Sequence, residues 1–482
     1  MLRSYLHSFS YFFQLPFHIQ WRTFLIQLPR YGPHPFVIAL PSRKDNAIPI
    51  YVFVPPADLG DNGQDTLGEN GEWKVPVVLD FHGGGFIMGS PLEQAPYCAM
   101  MSRALGAVVI SVSYRIGPFS QFPAAIHDAE DVLSAILDTE GVSKQAKILR
   151  TEIQRYHTMV HNSKKKQKKN GSAASLDGRT TITLDPSRLA ISGFSAGGNI
   201  ALNMAINTPP CDNILLQSPR PTRRSITLAR SPPPASPGEL FSPLLPPHRA
   251  PTILDDPAQP WPSLLPPPAA QPRMLPLLLF YPSLDARLLP HERPMKDMPS
   301  ALKGDDKRTQ KPRRPGLFSL MGPTYLPKKL RAHPRASPGL GDPDDVQKNA
   351  AIFLVLPEND TLAVQSDIWV EKMSTAGWNG PVRFGDGRAG DWDGHEGGPD
   401  TEGHTNGGME VWHAPDCRHG WTQFPDSFLG KHEKEERDLV FARTLDFVKE
   451  NWRKTLPVPR LGNNIRELRP LEIPSTLSSL EE

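Results

Sequence analysis

Short runs of apolar residues, spaced along the whole chain, constrain the fold more than any other feature of the sequence. Five of them are nearly continuous: 76–82, 107–114, 189–194, 275–281 and 350–356. Apolar runs of this length, without alternation of polar and apolar positions, are typical of strands buried on both faces. The sequence therefore predicts a sheet that is covered on both sides.

Helical patterns lie between these runs. Residues 124–137 and 436–452 both place apolar side chains at spacings of three and four. Strands that alternate with helices predict an α/β fold with a mostly parallel central sheet and helices on both faces. At the start of this sheet, residues 36–41 and 48–55 are predicted to form an antiparallel pair joined by a turn at 42–46.

Four segments have a composition that does not predict a packed core. Residues 142–182 are rich in lysine, 219–272 in proline, 383–408 in glycine, aspartate and histidine, and 457–482 form a polar tail. Each proline removes a backbone donor, so the second segment cannot hold regular secondary structure. We predict one α/β domain over 36–456, in which the first three segments are disordered inserts or errors of the gene model.

The N-terminal segment is unusually aromatic. No Lys, Arg, Asp or Glu occurs from Ser4 to Trp21. One or two helices packed on the main body are expected here, and a helix lying on a membrane surface is the alternative. A secretory signal is not expected, because a compact apolar run and a cleavage site are missing. No run reaches the roughly 18 apolar residues that span a bilayer, so we expect a cytoplasmic protein, peripheral to a membrane in the alternative case.

Charge and cysteine content exclude further classes. The 53 Lys and Arg residues nearly balance the 51 Asp and Glu residues, giving a net charge of +2. Such a balance gives no electrostatic reason to expect nucleic acid as a partner. Three cysteines are too few for a disulfide scaffold, which favours a reducing compartment.

The strongest chemical motif is Gly193-Phe194-Ser195-Ala196-Gly197. It follows the apolar run that ends at residue 192 and precedes a helical pattern over 199–206. A strand, a Gly-x-Ser-x-Gly turn and a helix together form a nucleophile elbow, in which a tight turn presents the serine at the top of the sheet. The motif predicts Ser195 as a nucleophile.

A second motif, His82-Gly83-Gly84-Gly85-Phe86, directly follows the apolar run 76–81. Consecutive glycines leave backbone amides unobstructed, and a tetrahedral oxyanion needs such fixed donors. We predict an oxyanion hole formed by the amides of Gly83, Gly84, Gly85 and Ala196, with His82 orienting the loop. The alternative is a glycine-rich turn without a chemical role.

A serine also needs a base and an orienting acid. Asp360 follows the run 350–356, and His419 follows a predicted last strand at 409–413. The order serine, aspartate, histidine is that of the α/β-hydrolase triad. Both positions are expected at the carboxyl edge of the sheet, beside the elbow. Other residues remain open at this point: Glu358 or Asp285 as the acid, and His413 as the base.

These motifs together resemble the hormone-sensitive-lipase-like family of α/β-hydrolases, also called alpha/beta hydrolase fold-3. The resemblance covers roughly residues 36–454 without the inserts and rests on His82–Phe86, Tyr114-Arg115, Phe122–Ala125, Gly193–Asn199, Tyr281–Asp285, Asp360–Leu362 and His419–Trp421. It implies an α/β-hydrolase fold with a small helical cap made from residues 1–35 and about 286–345. It also implies a serine carboxylesterase or lipase. One departure is Phe194, where the family usually has an acidic residue.

The predicted function is cleavage of small-molecule carboxylic esters through an acyl-enzyme on Ser195. The aromatic N-terminus suggests an apolar acyl group. We expect no cofactor and no metal: the acidic and histidine residues between 391 and 404 lack the framework that fixes metal ligands. The alternatives are a receptor-like member of the fold that binds without catalysis, and an acyltransferase or amidase with the same triad.

Overall fold

One nine-stranded sheet organises the part of the chain that the structure describes. This computed structural model describes residues 32–43, 46–56, 72–168, 181–208, 261–267, 270, 273–294, 314–385 and 406–454. The strands are β1 (Phe36–Pro41), β2 (Ala47–Phe53), β3 (Glu72–Phe81), β4 (Val108–Val112), β5 (Thr181–Phe194), β6 (Leu275–Phe280), β7 (Ala350–Asn359), β8 (Val382–Phe384) and β9 (Met409–Arg418).

The strand order is β1-β2-β4-β3-β5-β6-β7-β9-β8. Strand β2 is antiparallel to both β1 and β4, and all other neighbouring strands are parallel. The prediction of a mostly parallel sheet with an antiparallel pair at its start is therefore confirmed. Because the parallel strands β3, β5, β6, β7 and β9 all end at the same edge, the loops that follow them meet there.

Seven α-helices are described: α1 (Ala95–Leu105), α2 (Ala124–Leu137), α3 (Lys144–Lys168), α4 (Ala196–Met204), α5 (Leu317–Tyr325), α6 (Ala363–Thr375) and α7 (Lys431–Arg453). Alternate side chains of the central strands enter two different cores. Leu79 packs with residues of α2, α3 and α4, whereas its neighbour Val78 packs with residues of α1 and α7. Helices therefore cover both faces, as the continuous apolar runs predict.

The prediction of a disordered insert over 142–182 is wrong for most of that segment. Residues 144–168 form α3, and β5 begins at Thr181. Three apolar side chains of α3 are buried at spacings of three and four: Ala146, Leu149 and Ile153. This narrow stripe is enough to pack the helix, although the surrounding residues are polar. Residues 169–180 lie outside the described part.

The proline-rich insert also touches the core at its C-terminal end. Trp261 is 2% exposed, and its indole N–H donates to Glu130 at 2.7 Å. The guanidinium of Arg335 lies 4.6 Å from the centre of the indole ring. The prediction that 219–272 makes no contribution to a packed core is therefore wrong at Trp261, because one large side chain fills a buried site. Residues 219–260 lie outside the described part.

The remaining predicted segments are only partly covered. Of the third insert, residues 383 and 384 belong to β8 and Asn406 is buried, while 386–405 lie outside the described residues. Residues 1–31 and the tail 457–482 lie outside them too, so the N-terminal helices and their membrane contact stay predictions. Within the described ranges, no helix combines the length and apolar character needed to cross a membrane.

The predicted cap segment contributes α5 and the short turn Lys328–Leu330. It lies over the carboxyl edge of the sheet, where Tyr325 stacks on Phe86 with ring centres 4.7 Å apart. Because Phe86 directly follows the triple glycine, this contact joins the cap to the loop after β3.

Candidate active site

Ser195 lies on a strained turn between β5 and α4. Its φ is 54° and its ψ is −112°, a conformation that costs free energy in a residue other than glycine. A Cβ at Gly193 would lie 2.1 Å from the carbonyl oxygen of Gly197, and a Cβ at Gly197 would lie 2.1 Å from the carbonyl oxygen of Phe81. Both positions therefore require glycine, and the tight turn directs the serine into a cavity at the edge of the sheet.

The three predicted triad residues meet. The Nε2 atom of His419 lies 2.9 Å from Oγ of Ser195, and its Nδ1 atom lies 2.7 Å from Oδ2 of Asp360. Asp360 is 2% exposed, and its other carboxylate oxygen accepts the backbone N–H of Leu362 at 2.9 Å. The carboxylate is therefore fixed on both sides, with the imidazole between it and the serine.

The alternative acids and base are engaged elsewhere. Glu358 accepts the backbone N–H of Asp416 at 3.3 Å, and Asp285 forms an ion pair with Arg287 at 2.7 Å. His413 is buried within β9, where its ring stacks on that of Phe384. Asp360 is the first residue after β7, whereas Glu358 lies within the strand.

An aromatic side chain holds the imidazole from the side. Tyr281 directly follows β6 and meets the ring of His419 edge to face, with ring centres 4.9 Å apart. Its hydroxyl lies 2.5 Å from that of Thr422. Burial raises the pKa of Tyr281, so its hydroxyl stays protonated. Sequence reasoning gave Tyr281 no role, although its position at a strand end beside the elbow was a usable signal.

The glycine loop forms one wall of the cavity beside Ser195. Gly84 and Gly85 have φ values of 116° and 62°, which favour glycine. A Cβ at Gly84 would lie 2.0 Å from the carbonyl oxygen of Met88. Gly84, Gly85 and Ala196 line the cavity together with Ser195, whereas Gly83 is absent from its described lining. A Cβ on Gly83 would lie 2.8 Å from the side-chain amide oxygen of Gln423.

His82 lies under this loop. Its ring is 1% exposed and stacks on Tyr114 at 4.2 Å between ring centres. The Nδ1–H of His82 donates to the carbonyl oxygen of Gly83 at 2.7 Å, and the hydroxyl of Tyr114 donates to the carbonyl oxygen of His82 at 2.6 Å. Burial lowers the pKa of His82 to about 4, so the ring is neutral at pH 7. These contacts fix the start of the glycine loop.

The cavity has a volume of about 680 Å³, which suits a small molecule. Its wall is mostly apolar and includes Phe86, Met88, Leu92, Leu288, Leu289, Phe318, Tyr325, Leu326, Phe424 and Phe428. Four charged side chains also line it, and sequence reasoning found none of them: Glu93, Arg293, Arg331 and Arg418. Their positions depend on how the cap and the loops fold over the sheet, which no local motif encodes.

Burial changes the acidity of two of these groups. It raises the pKa of Glu93 to about 7, so this carboxyl is partly neutral near pH 7. It lowers the pKa of Arg293 to about 10, and this effect exceeds that of the carboxylates of Asp360 and Asp285, which raise the pKa. The ranges that the structure describes contain no group of three or more His, Cys, Asp or Glu side chains able to hold a metal ion.

Comparison with known proteins agrees with this architecture. Residues 78–220 match a family model described as alpha/beta hydrolase fold. The fold is that of an α/β-hydrolase. The matched region contains both the glycine loop and the nucleophile elbow, so the resemblance to the hormone-sensitive-lipase-like family that the sequence motifs indicate is confirmed.

Individual relatives are similar over shorter stretches. Probable carboxylesterase 16 from Arabidopsis thaliana is 31% identical over 137 residues, which are 27% of this chain and 29% of that protein. Carboxylesterase NlhH from Mycobacterium tuberculosis is 29% identical over 158 residues, 33% of each protein. The chain thus covers about a third of the length of these relatives. The solved structure of a hyperthermophilic esterase from Pyrobaculum calidifontis aligns over 92% of this chain and 94% of that chain, with 16% identity and a TM-score of 0.47.

Proposed function

We propose that this protein is a serine hydrolase that cleaves carboxylic esters through an acyl-enzyme on Ser195. The observation that carries the proposal is the continuous chain from Ser195 Oγ through His419 to Asp360, with contacts of 2.9 and 2.7 Å. Both distances are within hydrogen-bond reach, the geometric requirement for an activated nucleophile. The similarity to proteins named as carboxylesterases supports the same chemistry.

In the first half-reaction, Oγ of Ser195 attacks the ester carbonyl carbon while Nε2 of His419 takes the hydroxyl proton. The resulting imidazolium is stabilised by the carboxylate of Asp360, which accepts its Nδ1–H. The carbonyl oxygen becomes an oxyanion beside Gly84, Gly85 and Ala196, whose backbone amides are assigned as its donors. The imidazolium then gives its proton to the leaving alkoxide, and the alcohol departs.

In the second half-reaction, a water molecule replaces the alcohol. Nε2 of His419 takes a proton from the water as its oxygen attacks the acyl carbon. The second tetrahedral intermediate uses the same amides. Its collapse releases the carboxylic acid, and His419 returns the proton to Oγ of Ser195, which restores the starting state.

The cavity favours small substrates with an apolar acyl or alcohol part. Its volume of about 680 Å³ lies within the usual range for small-molecule sites. When an apolar substrate group contacts the aromatic and aliphatic side chains of the wall, apolar surface is removed from water, and this lowers the free energy of the complex. Short and medium acyl chains are therefore the substrates with which to begin.

The test is labelling of Ser195 by a fluorophosphonate probe, followed by intact-mass and peptide analysis, together with a chain-length series of 4-nitrophenyl esters. Ser195→Ala should abolish labelling and lower turnover on the order of 10⁴-fold or more. Ser374→Ala, an exposed serine on α6, is the matched control and should keep both. A Ser195→Ala variant with the turnover of the wild type contradicts the proposal. Labelling of Ser195 without ester hydrolysis would instead favour transfer to another acceptor.

A further inference from the structure

We infer that the cavity beside Ser195 accepts esters that carry a carboxylate, and that the guanidinium of Arg331 binds this anionic group. This inference rests on the proposed function, since it names a substrate class for the same site. It assigns Arg331 a role in specificity and none in the chemical steps.

Arg331 is a buried cationic side chain in the cavity wall. It follows the turn Lys328–Leu330 of the cap, lines the cavity and is only 9% exposed. Among the residues described, its guanidinium has no hydrogen bond, ion pair or aromatic contact. An Arg side chain is rarely buried to this extent unless it is paired. The missing partner is therefore expected to come from a molecule in the cavity.

The other charged groups of the cavity differ from Arg331 in this respect. Arg418 forms an ion pair with Glu433 at 3.0 Å and lies 5.1 Å from the ring centre of Phe424. Arg293 is attracted electrostatically by the carboxylates of Asp360 and Asp285. Glu93, the only acidic side chain in the described lining, is partly neutral near pH 7 because burial raises its pKa to about 7. The excess positive charge of the wall thus lies at Arg331.

The backbone holds Arg331 in place without help from its side chain. Its N–H donates to the carbonyl oxygen of Lys328 at 3.3 Å, and its own carbonyl oxygen accepts the hydroxyl of Ser337 at 2.6 Å. A substitution of the side chain leaves both contacts available. The planar guanidinium can bind a carboxylate through two parallel N–H donors, a geometry that an ammonium group lacks.

The experiment compares matched pairs of esters that differ in one carboxylate. In the acyl pair, 4-nitrophenyl hydrogen adipate is compared with 4-nitrophenyl hexanoate. In the alcohol pair, 4-acetoxybenzoate is compared with 4-methylphenyl acetate. The proteins are wild type, Arg331→Met, Arg331→Lys and the control Lys329→Met, which removes an exposed cation two residues away that is not part of the described cavity wall.

The measured quantity is the ratio of kcat/KM for the anionic ester to that for the neutral ester. Arg331→Met should lower this ratio by about 10- to 100-fold in one of the two pairs, the range of a charge-assisted hydrogen bond. Arg331→Lys should lie between wild type and Arg331→Met, and Lys329→Met should match wild type. The pair that responds shows whether the anion belongs to the acyl or the alcohol side. An unchanged ratio in both pairs, or an equal fall in Lys329→Met, overturns the inference.

A binding measurement separates this inference from the proposed function. Calorimetry with monomethyl adipate and with 4-acetoxybenzoate is performed on Ser195→Ala and on the double variant with Arg331→Met. Binding that is at least 10-fold weaker in the double variant supports the anion site even if no ester is hydrolysed and Ser195 is not labelled. Equal binding by the two variants overturns the anion site even if hydrolysis is observed.

Discussion

Replacement of Asp360 by asparagine tests how the site prepares His419 for catalysis. The two oxygens of Asp360 accept different N–H groups, one from His419 Nδ1 at 2.7 Å and one from the backbone of Leu362 at 2.9 Å. An amide has only one oxygen, so Asp360→Asn can satisfy only one of them. If the amide oxygen faces Leu362, the NH₂ group faces Nδ1 and forces the imidazole proton onto Nε2. An Nε2–H cannot take the proton of Ser195.

The size of the effect follows from this choice. The opposite orientation of the amide brings its NH₂ group against the N–H of Leu362, inside a site where residue 360 is 2% exposed. Burying two facing donors without acceptors costs about 1–3 kcal/mol for each group, so the inactive tautomer is favoured. In a serine protease, the corresponding change lowers kcat about 10⁴-fold. We expect a loss of about 10²- to 10⁴-fold, which is about 3–5 kcal/mol of activation free energy at 1.36 kcal/mol per decade.

The assay is kcat/KM for 4-nitrophenyl butanoate together with the rate of fluorophosphonate labelling of Ser195. Both should fall together, because both require Oγ to lose its proton. Glu358→Gln is the matched control, since it makes the same chemical change two residues away in an acid that accepts the N–H of Asp416. It should keep most of the activity. A variant Asp360→Asn that retains more than about half of the wild-type rate, or a larger loss in Glu358→Gln, would refute the reasoning.

Two further predictions concern the cavity wall. Gly84→Ala should lower kcat/KM on the order of 10²-fold or more, because its Cβ would lie 2.0 Å from the carbonyl oxygen of Met88 and displace the loop. The control is Gly106→Ala, which is also at positive φ but has nothing within 4 Å of its Cβ; it should lower the free energy of unfolding by about 1 kcal/mol and leave activity intact. Burial raises the pKa of Glu93 to about 7, so the folded state binds more protons than the unfolded state between about pH 4.5 and pH 7, and the free energy of unfolding contributed by this group falls as the pH rises through that range. In Glu93→Gln, the free energy of unfolding measured with urea should fall less between pH 4.5 and pH 8 than in the wild type, by at most about 2–3 kcal/mol, because solvent in the cavity weakens the effect of burial. If the free energy of unfolding depends on pH in the same way in both proteins, Glu93 does not titrate as expected.

The sequence predicts the sheet and the candidate triad well because both have local signals. Ser195 lies in a contiguous motif of five residues between a strand and a helix, and Asp360 and His419 each follow a strand that apolar composition identifies. The choice among the competing acids was harder. Asp360 and Glu358 are two positions apart, and the end of β7 at Asn359, which lies between them, is not marked in the sequence; Asp360, the first residue after the strand, is the carboxylate that contacts His419.

Features held by long-range packing were not predicted. In the sequence of α3, the buried Leu149 and Ile153 stand among mostly polar residues, so the average composition hides the short apolar stripe that packs the helix. Trp261 is a single aromatic residue in a proline-rich background, and its burial depends on Glu130 and Arg335 from distant parts of the chain. The place of Arg331 in the cavity likewise depends on how the cap lies over the sheet. None of these side chains has a sequence neighbour that reveals its partner.

The pairing of Thr208 with Trp261 has a consequence for the length of the chain. The two residues exchange backbone hydrogen bonds of 2.8 and 2.7 Å, so the two ends of the connection over 209–260 are held side by side. The entropy of closing a connection grows slowly, by about 0.6 kcal/mol for each doubling of its length. Because Thr208 and Trp261 hold these ends together, we expect the number of residues between them to change the free energy of closing the connection only weakly.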